Sequence, residues 1–186
     1  TSGALVFNRS DSIGFGGVIS GAGTLAQAGS WTLVLTGTNT FTGGTTIAPG
    51  GTLQLGNGGA TGSITGNVAN AGALVFNRAN DITFGGVLSG NGTVRQAGAG
   101  TVVLNGVNTL TGTMTVELGR VVVGDATHTG ARYGGAAGVS NGATLAGYGT
   151  IAGGVTNAGT VSPGGSVGTL SVGSYTQAAG GRLHIS

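Results

Sequence analysis

GALVFNRSDSIGFGGVISGAGTLAQAGSWTLVLTGTNTFTGGTTI, residues 3–47, returns as GALVFNRANDITFGGVLSGNGTVRQAGAGTVVLNGVNTLTGTMTV, residues 72–116. The copies stand at an offset of 69 in the numbering and agree at 28 of 45 positions. Self-similarity at a fixed offset, in a chain of short strands and turns, is the mark of a solenoid whose units stack on one another. Working outward from this stretch, short apolar alternations recur, each preceded by glycine or asparagine. Trp31-Thr32-Leu33-Val34-Leu35, Gly51-Thr52-Leu53-Gln54-Leu55 and Gly72-Ala73-Leu74-Val75-Phe76 are examples. Period-two runs bounded by turn formers read as strands.

The spacing predicts a three-sided parallel β-helix. A third of 69 is 23 per coil, and 186 residues then make about eight coils, a rod on the order of 40 Å long. Leu53 and Leu55 point inward in this reading, Thr52 and Gln54 outward, and a one-residue slip reverses both sets. The copies support the split. Leu25/Val94, Leu33/Val102, Ile47/Val116 and Ile19/Leu88 exchange one apolar residue for another, as interior positions should. Ala26/Arg95, Thr36/Asn105 and Ala22/Asn91 change polarity freely, as exterior positions do. Asn8/Asn77 and Asn39/Asn108 are assigned to equivalent, stacked corners. Repeat units 3–71 and 72–124 make up a coil region 1–125, followed by terminal coils over 126–186. Asp125 to Tyr133 gathers charge and an aromatic, and reads as an exterior loop. Ile151–Gly159 then echoes Ile64–Gly72, and the coil pattern resumes.

Composition narrows the function classes. Hydrophobic residues make up 39% of the chain, against disorder despite 44 glycines, and no Gly-X-Y period suggests collagen. Charged residues are only 5%, and six arginines stand singly, so no basic patch points to nucleic acid. Cysteine is absent, which suits a chain that crosses a membrane unfolded after passing an oxidising compartment. No run approaches the roughly 20 apolar residues of a membrane-spanning helix. The opening Thr1-Ser2-Gly3 runs straight into the repeat, as in a piece cut from a longer protein.

Motifs of chemistry dissolve on inspection. Gly138-Val139-Ser140-Asn141-Gly142 and Gly164-Gly165-Ser166-Val167-Gly168 spell a hydrolase elbow, but no acid follows Asp125 to complete a triad in that order. Gly21–Ala26 and Gly147–Ala152 mimic a dinucleotide fingerprint without the helix or the later acid it needs. Asp125 and His128, with His184 from afar, fall short of a metal site. The expectation is therefore no catalytic residue, no metal and no cofactor within this chain. Arg9/Asp11 and Arg78/Asp81 read as exposed corner pairs. Trp31, Phe41, Phe15/Phe84 and Phe7/Phe76 form either an outer aromatic strip for carbohydrate or self-association, or an interior stack.

Gly37-Thr38-Asn39-Thr40-Phe41-Thr42-Gly43-Gly44-Thr45-Thr46-Ile47, running into Gly51–Gly56, resembles the autotransporter-associated β-strand repeat of Gram-negative secreted passenger domains. Gly106–Val116 is a second copy, with Thr113 where the motif usually has glycine. Gly159-Thr160-Val161-Ser162-Pro163-Gly164 with Gly168-Thr169-Leu170 and Tyr175-Thr176-Gln177 resembles the autochaperone section that ends pertactin-like passengers. The resemblance implies a right-handed parallel β-helix at the cell surface, exported by type V secretion through the protein's own carboxy-terminal outer-membrane β-barrel. That barrel lies outside this polypeptide. It also implies a non-catalytic stalk whose last section folds first and templates the rest. An adhesin or self-associating surface in contact with a host, and the stalk of a protease or esterase whose catalytic domain lies upstream of Thr1, are the alternatives.

Overall fold

The computed structural model describes residues 3–164 and 168–185. Among them every strand pairing is parallel and no helix occurs. Side chains that alternate along short runs can bury one set only by stacking run upon run, and the chain does so in coils. One face begins with Ala4–Phe7, Thr24–Gln27, Thr45–Ile47, Val68–Asn70 and Leu88–Gly90. A second carries Ile13–Phe15, Thr32–Leu35, Thr52–Leu55, Ala73–Phe76, Thr93–Gln96, Met114–Val116 and Ala137–Val139. A third carries Ile82–Phe84, Thr101–Leu104, Arg120–Val123, Thr144–Gly147, Thr160–Pro163 and Arg182–Leu183. Earlier on that third face the chain is irregular, with one bridge between Thr38 and Ser63. Thr150–Asn157 and Ser171–Gln177 each run across the first and second faces without a break.

The all-β, three-sided parallel solenoid expected from the sequence is thus present, but its pitch differs. Along the second face the register runs Ile13, Leu33, Leu53, Leu74, Val94, Met114, Ala137, Val155, Tyr175. Most steps advance the numbering by 20 rather than the expected 23. The column has nine members, one per coil, where eight coils were expected. Along the first face, three coils carry the register from Leu5 through Leu25 and Thr45 to Val68, an advance of 63. A 69-residue unit therefore overshoots three coils by six positions, which is one face. Leu5 lies on the first face and its copy Leu74 on the second, while Leu33 lies on the second and its copy Val102 on the third. The unit spans ten faces. Its copies are not stacked above one another, and Asn39 and Asn108 do not share a corner column.

The interior is a continuous apolar column. Leu33, Leu53, Leu74 and Met114 are fully buried, and the expected interior partners Leu25, Val94, Val102, Ile47, Val116 and Leu88 are buried too. Burying each leucine contributes roughly 1.5–3 kcal/mol before entropy. Ile19, in the first coils, is half-buried against the cluster. On the outside, Val75 is covered although it faces outward, because its register partners are the long side chains of Gln54 and Arg95.

Buried amides close the corners. Asn39 accepts from the Ile19 N–H and donates to the Gly37 and Ser63 carbonyls; Asn108 accepts from the Leu88 N–H and donates to the Gly106 and Arg132 carbonyls. Gln27 donates to the Gly29 and Trp31 carbonyls as Gln96 does to those of Gly98 and Gly100. Asn70 and Asn157 each accept from the N–H two residues on. Turning backbone that would otherwise be buried unpaired is thereby satisfied.

Glycines form a column of their own between the first and second faces: Gly51, Gly72, Gly92, Gly112 and Gly135. A Cβ on each of Gly72, Gly92, Gly112 and Gly135 would run into the carbonyl oxygen of the glycine one coil before it. The coils approach there at backbone distance, which only glycine allows. Gly112→Ala should accordingly lower the unfolding free energy by about 2–4 kcal/mol in urea denaturation. Gly138→Ala, on an outward strand position with open space around its Cα, should stay within about 1 kcal/mol of the parent.

Candidate functional surface

Reactive groups are few, and most are occupied in holding the fold. The elbow-like Gly138–Gly142 is a corner: the Ser140 carbonyl accepts from the Ala143 N–H, and no carboxylate joins the hydroxyl among the described residues. Its counterpart Gly164–Gly168 includes residues 165–167, outside the described residues. The two fingerprint-like runs are turns into the strands Thr24–Gln27 and Thr150–Asn157.

Asp125 anchors the loop between the third and first faces. One carboxylate oxygen accepts from the Thr127 backbone and hydroxyl and meets His128 Nδ1 at 2.7 Å. The other accepts from Asn105 of the previous coil at 2.7 Å, and the Asn105 side-chain oxygen accepts from the Asp125 N–H. The Thr127 hydroxyl, followed by His128, holds the Asp125 carboxyl far below the usual carboxylate range. His184 does not join them, and no group of three metal-ligating side chains forms among the described residues. The loop is exterior as expected, but Ala131 and Tyr133 belong to the core. Tyr133 is fully buried and donates to the Gly112 carbonyl at 2.9 Å. Sequence reasoning placed it outside because charged and polar neighbours run right up to it.

The arginines divide. Arg9 grips Asp11 through two hydrogen bonds of 2.7 and 2.9 Å, an exposed pair. Its counterpart Arg78 does not pair with Asp81. It bonds to Asn80, which stands in the repeat where Asp11 does, and reaches back to the Gly62 and Ala60 carbonyls. Asp81 instead accepts from the Thr101 N–H at 2.8 Å. Arg95 and Glu117 form a second exposed pair at 2.8 Å, and the Arg95 hydrogen bond lowers the Glu117 carboxyl below its ordinary range. Exposed pairs of this kind contribute little to stability.

The aromatics settle the choice between strip and stack. Phe41, Phe76 and Phe84 are buried, Phe7 packs edge-on to Phe15 and Phe76 to Phe84, and only Trp31 of the set stands well out in solvent.

At the last coil the ladder comes out to solvent: Ser171–Gln177 is exposed along most of its length. Tyr175 takes the register position of Val155, and Gln177 that of Asn157. Asn157 donates to the Tyr175 hydroxyl and to the Arg182 carbonyl at 2.9 Å each, and Tyr175 donates to Gln177. Above the buried column of the earlier coils, this exposed end carries a hydroxyl–amide network. The pairing of Thr150–Asn157 with Ser171–Gln177 is the longest among the described residues, spanning six register pairs with one bulge. What such a molecule offers a partner is a long, polar, weakly charged rod.

Comparison with known proteins agrees with that shape. The passenger-associated-transport-repeat family matches residues 25–55 and 94–123, two segments whose starts are separated by the same interval as the units themselves. Over 74 residues the chain is 46% identical to the adhesin BmaC autotransporter of Brucella suis biovar 1 (strain 1330). That match covers 39% of this chain and 2% of the relative, so the chain corresponds to a small part of so long a protein. No solved structure matches.

The titrating groups give the rod a lopsided pH response. The depressed carboxyls of Asp11, Glu117 and Asp125 lend stability that is present above the ordinary carboxylate range and lost on acidification. All three are on the surface, so the loss is small. Burial raises the Tyr133 hydroxyl well above its ordinary 10.0, so its contribution holds below that value and is lost as pH rises past it. The thermal midpoint should stay nearly level from about pH 4 to 9 and fall above about pH 10. Tyr133→Phe should flatten the alkaline fall in a calorimetric series. Stacked parallel coils, the two matched repeats and the Brucella stretch together make this chain similar to the repeat region of autotransporter passengers.

Proposed function

We propose that this chain is a non-catalytic stalk segment of its passenger and that residues 126–186 nucleate its folding during outer-membrane secretion. The pairing of Thr150–Asn157 with Ser171–Gln177 carries the reading, since it joins two faces at once where earlier coils join one face at a time. A parallel solenoid must close a loop of about 20 residues before each new coil gains contacts, so its first coil is the slow step. A long strand pair closed by Asn157, Tyr175 and Gln177 lowers that barrier and leaves a template for the coil above. Coils formed outside the cell cannot slide back through a narrow pore, and their folding draws the rest of the chain outward. The pore belongs to the protein's own outer-membrane barrel.

The name of the Brucella relative supports a second reading, an adhesive or self-associating rod in contact with a host surface. Sedimentation across concentrations, and clumping of cells that display this segment alone, separate an adhesive rod from a passive stalk.

For the first reading, deletion of 159–186 from a passenger displayed with its own barrel should slow or abolish surface exposure. Deletion of one interior coil should be tolerated better. Display at the parental rate after the terminal deletion would contradict a nucleating role.

A further inference from the structure

We propose that Trp31, with the Arg9–Asp11 pair on the neighbouring coil, is a contact site for a neutral saccharide. This goes beyond the stalk reading and does not depend on it. Trp31 is the chain's single tryptophan, and it is 54% exposed. Val18 and Val107 are as exposed, but of the aromatics in the first repeat unit Trp31 alone stands well out, with Phe41 buried and Phe7 and Phe15 packed on each other.

Register places its neighbours. Arg9 lies against Gly29 and Ile13 pairs with Leu33, so Asp11 falls beside Trp31 on the preceding coil. On the following coil Ser30 faces Gly50, and the Thr52 N–H donates to the Trp31 carbonyl, with Gly51 next to it. The indole thus stands at a corner with an ion pair on one side and bare glycine backbone on the other. Gln27 also donates to the Trp31 carbonyl, which fixes the backbone that carries the ring.

The second copy shows that the corner does not need these residues. Gly100 stands where Trp31 does, and Asn80 where Asp11 does. Arg78, in place of Arg9, is buried and spent on the Gly62 and Ala60 carbonyls.

Chemistry selects the ligand class. A stable protein interface needs about 800 Å² from each partner around an apolar centre. The sequence and register neighbours of Trp31 at its turn are instead Ser30, Thr32, Thr52 and glycines. A single indole plane does suit the C–H face of a pyranose ring, and the adjoining carboxylate and guanidinium can bond its hydroxyls. Because Arg9 and Asp11 neutralise each other, the fitting sugar is uncharged.

Since the chain has one tryptophan, its fluorescence reports this site alone. Titration of the folded chain with cellohexaose and with mannohexaose should give a saturable change with at least one of them, with Kd on the order of 1 mM. Trp31→Gly, the residue the second copy uses, should keep the circular dichroism and reduce calorimetric binding at least about tenfold. Asp11→Asn should weaken binding about three- to tenfold. Three results would each overturn the proposal. These are a folded parent that responds to neither hexasaccharide, a Trp31→Gly variant that binds as the parent does, and a response confined to choline, which would mark a cation–π site. None of them bears on display or folding.

Discussion

Backbone touching backbone at the corners is the constraint on which this rod depends. Each coil can lie a strand's width above the last only if the turns, too, approach at that distance. Gly51, Gly72, Gly92, Gly112 and Gly135 make this possible by presenting no side chain to the carbonyl below. Once the corners close, the ladders of all three faces fall into register, and alternate side chains meet in one apolar column. Glycine in such numbers is usually a sign of looseness, yet here it permits the tightest contacts in the molecule.

A second constraint comes from turning. Each coil changes direction three times, and buried turns leave amides and carbonyls without ladder partners. Asn39, Asn108, Gln27, Gln96, Asn70 and Asn157 supply those partners from inside. The same device closes the terminal coil, where Asn157 meets Tyr175. A chain with 5% charged residues can therefore remain well satisfied and present an outer surface made mainly of hydroxyls and small side chains.

Much of this architecture was legible in the repeat. Exchanges such as Leu33/Val102 against Ala26/Arg95 separated inside from outside correctly. The pitch was not legible, because 69 divides evenly by three and all faces carry the same period-two pattern. Nothing in one strand says which face it will join. The extended turn at residues 56–62 lengthens one coil, and the unit holds ten faces rather than nine, so the second copy begins one face further on. The interior amides could have been found: Gln27 and Gln96 are identical between copies that otherwise vary at the residue before them, Ala26 and Arg95. Burial of Tyr133 and the partner of Arg78 could not, since both depend on which backbone carbonyls the previous coil brings near. The candidate surface was half legible: the aromatics were singled out, but only their placement in three dimensions left Trp31 as the exposed one.

The central claim is that the coils advance by about 20 residues and that the 69-residue copies sit on different faces. The chain has no cysteine, so paired substitutions test this directly. Ala26 and Thr46 are outward register partners on adjacent coils, a separation that a disulfide bridges. The chain carrying Ala26→Cys and Thr46→Cys should oxidise rapidly to a single intramolecular disulfide, whereas Ala26→Cys with Pro49→Cys, the partner for a 23-residue coil, should not. Ready bridging of the second pair, with the first left reduced, would contradict the structure described.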